Sequence, residues 1–118
     1  MPNDTRKNVQ IEYTIQFERD MRRLSKKYRR IKSDVKPVIK KLEVGEALGT
    51  QVQRTGQHIV FKVRIKNSDI KKGKRAGYRM LYYVQTAETI ILLTIYSKTE
   101  QGDISFQNLL QIIAEYEE

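Results

Sequence analysis

Residues 58–66 read HIVFKVRIK, and this stretch decides the fold. Successive side chains of a strand point to opposite faces, so Ile59, Phe61, Val63 and Ile65 fall on one side and Val60, Lys62, Arg64 and Lys66 on the other. One side suits a core and the other carries charge. Downstream, residues 77–85 (GYRMLYYVQ) and 89–96 (TIILLTIY) read as two further strands. Only residues 86–88 separate them, which predicts an antiparallel hairpin. Residues 67–76, polar, glycine-containing and basic, read as a mobile connection.

Upstream, residues 9–13 alternate Val9, Ile11 and Tyr13 with Gln10 and Glu12, a short first strand. The period then changes. Phe17, Met21, Leu24 and Tyr28 share one face of a helix over about residues 15–28, with Thr14 as its cap. Ser33 is the expected cap of a second helix with the apolar stripe Val35, Val38, Ile39 and Leu42. Pro37 is expected in its first turn, and Gly45 and Gly49 end it. Asp103 or Ser105 caps a final helix carrying Phe106, Leu109, Leu110 and Ile113. The expected result is a helical hairpin packed on a sheet.

The 118 residues suit one domain with one core, spanning 1–118, and 39% of them are apolar. With no Cys there is no thiol nucleophile, disulfide framework or zinc knuckle, and the single His58 excludes a histidine pair. The opening MPNDTRKNVQ lacks an apolar signal core, and the apolar run at 89–96 is far short of the roughly 20 residues of a membrane span, so a cytoplasmic protein without membrane partners is expected.

Twenty-three Lys and Arg against 14 Asp and Glu give a net charge of +9, which favours a polyanionic partner. The charge is partitioned. Residues 19–41 hold eleven bases and two acids, residues 62–79 eight bases and one acid, and residues 100–118 five acids and no base. The first cluster fits a solvated helix face, a track for phosphates or a hold for an acidic partner. In the second, Lys62, Arg64 and Lys66 line one side of a strand whose other side is core, and they repel unless an anion lies over them. Arg79 on the next strand completes that surface, and nearby Tyr78, Tyr82, Tyr83 and Tyr96 suit either ring packing or stacking on a base.

Few reactions run without Cys, a metal cage or paired histidines. Cleavage of RNA by its own 2′-hydroxyl is one, because the substrate supplies the nucleophile. Arginine then stabilises the phosphorane, while lysine or tyrosine assists proton transfer. His58 begins the basic strand, roughly 13 Å from Lys62 at strand rise, and reads chiefly as a strand-edge residue. Gly73-Lys74-Arg75 lacks the spacing and hydroxyl of a nucleotide-binding loop, and no carboxylate pair shares a face.

FKVR at residues 61–64, GYRMLYY at 77–83 and IYSK at 95–98, after a basic helical hairpin, resemble the RelE/ParE superfamily of bacterial toxins. The resemblance runs from about residue 13 to 110 and is closer to the RelE-like messenger-RNA interferase branch of type II toxin–antitoxin systems. It implies an α+β fold: a twisted, mainly antiparallel sheet of about four strands, the N-terminal hairpin and a C-terminal helix. It implies Lys62, Arg64, Arg79 and Lys98 as catalytic groups, with Tyr96 substituting for the late tyrosine of some members, which is replaced here by Ser105 or Phe106. Thr99 stands where some members have an arginine.

The same resemblance implies RNA or ribosome contacts from Lys66, Lys74 and Arg75 and, on the hairpin, from Arg22, Arg23, Lys26, Lys27, Arg29 and Arg30. The implied partners are the ribosomal A site with its messenger and a cognate antitoxin covering the basic groove, with DNA met only through the antitoxin and no cofactor or metal. Two alternatives stay open: a ParE-like inhibitor of DNA gyrase without nuclease activity, and an inactive nucleic-acid-binding module.

Overall fold

In the computed structural model, residues 8–52 and 57–118 are described; residues 1–7, most of the opening without a signal core, lie outside them. The elements run β1 (Gln10–Tyr13), α1 (Ile15–Lys27), α2 (Ile31–Glu43), β2 (Thr50–Gln51), β3 (Val60–Ile65), a 3₁₀ turn (Lys74–Ala76), β4 (Tyr78–Thr86), β5 (Thr89–Ser97) and α3 (Phe106–Glu117). The α+β class and the placing of hairpin and final helix are as the sequence reads. The sheet holds five strands in the order β1-β5-β4-β3-β2, the additional one being the two-residue β2. β1 pairs parallel to β5 and the other pairs are antiparallel.

Helix α1 starts where its sequence says. Thr14 Oγ1 accepts the amide of Phe17 at 2.9 Å and donates to the Leu93 carbonyl at 2.8 Å, so one hydroxyl caps the helix and ties it to β5. Leu93 is the extra residue of a bulge: the β4–β5 ladder steps from Leu81↔Thr94 to Tyr82↔Leu92. Helix α2 departs from expectation. It begins at Ile31, and Ser33 lies within its first turn with its hydroxyl donating to the Arg30 carbonyl at 2.9 Å. No side chain of the helix caps it; Asp69, from the β3–β4 connection, accepts the Arg30 amide at 3.0 Å. Pro37 therefore lies inside the helix rather than in its first turn, on the exposed side, where the hydrogen bond it forgoes faces water.

Helices cover both faces of the sheet. Phe17, Leu24, Ile31, Val35 and Leu42 from the hairpin pack on Val63, Ile65, Tyr78, Met80 and Tyr82. On the other face, Leu109 and Ile113 of α3 pack on Val60, Leu81, Tyr83, Ile91 and Leu93. The strict division of residues 58–66 into core and charged sides is therefore corrected at one end: Val60 is fully buried on the charged side because α3 covers it, while Ile59 is exposed. No described helix is long and apolar enough to cross a membrane.

Candidate functional site

The β3–β4–β5 register sets Arg64 opposite Arg79 and Arg79 opposite Tyr96, a row of three residues on the face that carries α3. Two residues before Arg64 on the same side of β3, Lys62 leans toward the segment joining β5 to α3. There, one carboxylate oxygen gathers three donors. Asp103 Oδ1 lies 3.5 Å from Lys62 Nζ, 3.6 Å from Lys98 Nζ and 3.3 Å from the Tyr96 hydroxyl. Lys62 and then Lys98 hold the Asp103 carboxyl below the usual carboxylate range, so it is ionised at neutral pH. Asp103 has this freedom because Ser105, the other candidate cap, caps α3 by accepting the Asn108 amide at 3.1 Å.

Three sequence-expected residues, Lys62, Tyr96 and Lys98, thus meet at one point. Arg64 lies beside them and is exposed. Burial, and then Asp103, push the Tyr96 phenol up to about 12, so it stays protonated at neutral pH and acts as a donor, not a base.

Arg79 is placed differently. Its residue is only 4% exposed. Nη1 donates to the Lys74 carbonyl at 3.0 Å and the Tyr78 carbonyl at 3.3 Å, and Nη2 to the Arg75 carbonyl at 2.8 Å. The guanidinium fork caps the 3₁₀ turn of the basic connection, leaving the Lys74 and Arg75 side chains exposed. Burial, and then the facing charge of Arg64, lower its pKa, though an arginine remains charged. The connection read as mobile is thereby tied at one end, and at the other Asp34 accepts the Ser68 amide at 2.9 Å. Lys66, one residue beyond β3, is exposed. Thr99 turns back on Ser97, their hydroxyls 3.0 Å apart.

The hairpin's helices pack against the opposite sheet face, though Arg19 of α1 lines the same cleft as Asp103. At the end of α1, Glu100 pairs with Lys27 at 3.0 Å and Arg23 at 3.5 Å and accepts the Tyr28 hydroxyl at 2.9 Å. Arg22, Lys26, Arg29 and Arg30 are exposed. His58 stands apart from Asp103, with Nε2 3.2 Å from Glu117 at the far end of α3 and its ring edge-on to Tyr83.

Sequence reasoning did not find Glu100 and Asp103 as partners of the basic residues. The signal was present in two acids shortly after Lys98, at the head of a segment without bases. Residues 11–102 match the family described as the ParE toxin of type II toxin-antitoxin system, parDE. That match spans most of the chain and agrees with the motifs and with the observed α+β fold, so this protein belongs to the RelE/ParE superfamily, a toxin of a type II toxin–antitoxin system with a cognate antitoxin as its partner.

Proposed function

We propose that this toxin is a ribosome-dependent endoribonuclease that cuts messenger RNA by attack of a 2′-hydroxyl on the adjacent phosphate. The observation that carries the reading is the convergence of Lys62, Lys98 and Tyr96 on one oxygen position, with the free fork of Arg64 beside it. Two ammonium groups and a neutral phenol are what a developing phosphorane needs: charge against its non-bridging oxygens and a donor that is not ionised. Arg64 contacts a flanking phosphate, and Lys66, Lys74 and Arg75 extend the track of the strand. Arg79 is a positioning residue, shaping the turn that presents Lys74 and Arg75. The exposed cations of the hairpin, on the other face, suit ribosomal RNA.

The test is to incubate the protein with translating ribosomes and map messenger ends. Cuts at codon positions, reduced about 10²-fold or more in Lys62→Ala and Lys98→Ala, are expected. Intact messenger under the unaltered protein refutes the reading.

A second reading, inhibition of DNA gyrase without nuclease activity, is favoured by the ParE description of the matched family and by the commitment of the Arg79 fork to backbone carbonyls. Inhibited supercoiling with trapped DNA breaks, and no messenger cuts, would select it.

A further inference from the structure

Asp103 places a negative oxygen where a site for polyanions has most use for one. We infer that Lys62 Nζ, Lys98 Nζ and the Tyr96 hydroxyl form a subsite for one phosphodiester oxygen of a nucleic-acid strand, and that Asp103 fills this subsite in the free protein and is displaced when the strand arrives. The inference rests on the reading of this face as a nucleic-acid site, and names both the phosphate-holding groups and the internal group that competes for them.

The geometry suits a displaceable occupant. The three contacts, 3.3 to 3.6 Å, are longer than well-formed hydrogen bonds, and the Asp103 side chain is 62% exposed. Such exposed pairs contribute little each. A phosphodiester brings the same charge with more acceptor oxygens, and further phosphates for Arg64 and the basic connection.

The segment that carries Asp103 is fixed on either side and open between. Glu100 is held by Lys27, Arg23 and Tyr28, and Ile104 packs against the core beneath α3. Between these anchors residues 101–103 are exposed, and the α-carbon of Gly102 has open space around it. Asp103 also lines a cleft of about 520 Å³ together with residues of α1 and α3; its lining includes the cation Arg19 and the acids Asp20 and Glu115, and offers space for the displaced side chain. With Ser105 capping α3, moving Asp103 leaves that helix intact.

The experiment measures binding of a fluorescein-labelled single-stranded RNA, 2′-O-methylated throughout so that it cannot be cut, by anisotropy across a salt series. Asp103→Asn should bind about 3- to 10-fold more tightly than the unaltered protein, the worth of two such exposed pairs. Its affinity should also fall more steeply with salt by about one phosphate's share, because without the Asp103 charge the lysines neutralise the strand more fully and displace about one more of its condensed cations. Adding Lys62→Met to Asp103→Asn should remove the gain. Glu88→Gln, which deletes one negative charge at the distant β4–β5 turn, should leave affinity within about 1.5-fold if only long-range charge is changed. Unchanged or weaker binding by Asp103→Asn, or an equal gain from Glu88→Gln, overturns the subsite. Messenger cleavage without the gain refutes the subsite alone, whereas the gain without cleavage supports the subsite and refutes the nuclease reading.

Discussion

Arg79 reaches back across the basic connection and holds the carbonyl of Arg75 at 2.8 Å, so the arginine of the Gly-Tyr-Arg motif grips backbone rather than facing solvent. Arg79→Ala leaves the Lys74 and Arg75 carbonyls without this donor, and the expected cost is about 1–3 kcal/mol of folding stability. Lysine cannot span both carbonyls as a fork does, so Arg79→Lys should recover only part of it. Urea unfolding of the two variants checks this; a fully stable Arg79→Ala would show that the grip contributes nothing.

Asp103 titrates below its ordinary 3.8 because Lys62, and then Lys98, favour its charged form. A depressed carboxyl contributes its pairing above the ordinary carboxylate range and loses it as pH falls through the depressed value. In Lys62→Ala the midpoint should rise toward 3.8, with Lys98 still holding part of the depression. Carboxyl carbon-13 shifts followed from pH 6 to pH 2 report it, and an unmoved midpoint would contradict the contact.

A methyl group on Gly77 would sit 2.0 Å from the Ile65 carbonyl oxygen, which belongs to the paired backbone of β3. Gly77→Ala is therefore expected to destabilise by more than about 2 kcal/mol, since neither strand can move aside without breaking the ladder. Gly102→Ala meets nothing within 4 Å and should stay within about 0.5 kcal/mol of the unaltered protein. Chemical denaturation of the pair separates a steric role from a general glycine effect.

Asp20 is buried in α1, where its carboxylate accepts the Thr94 hydroxyl and, at 3.1 Å, the Ile95 amide, while Gln16 donates to it at 2.9 Å. Removing it in Asp20→Ala should cost about 2–3 kcal/mol, the scale of a buried hydroxyl and amide left without their acceptor. Asp20→Asn keeps one acceptor and should cost less. Thermal unfolding that ranks the two alike would contradict this.

The alternation in residues 58–66, the four-three-four spacing of Phe17, Met21, Leu24 and Tyr28, and the Thr14 cap were legible because each is set by neighbours along the chain. The motifs carrying the superfamily resemblance are equally local, and the matched family agrees with them. The alternation could not tell that Val60 is buried, because burial on that face depends on where α3 lands. Nor could it tell that Asp69 rather than Ser33 serves the start of α2, a contact spanning 39 residues.

The sequence by itself determined the four longer strands, the three helices apart from the start of α2, the partition of charge and the kinship of the chain. Tertiary structure alone decided that Lys62 and Asp103, 41 positions apart, meet at Tyr96, and that Arg79 turns inward to backbone carbonyls. The reason is physical: periodicity follows from backbone geometry within a few residues, whereas a pairing of charges depends on strand order and on where each connection returns.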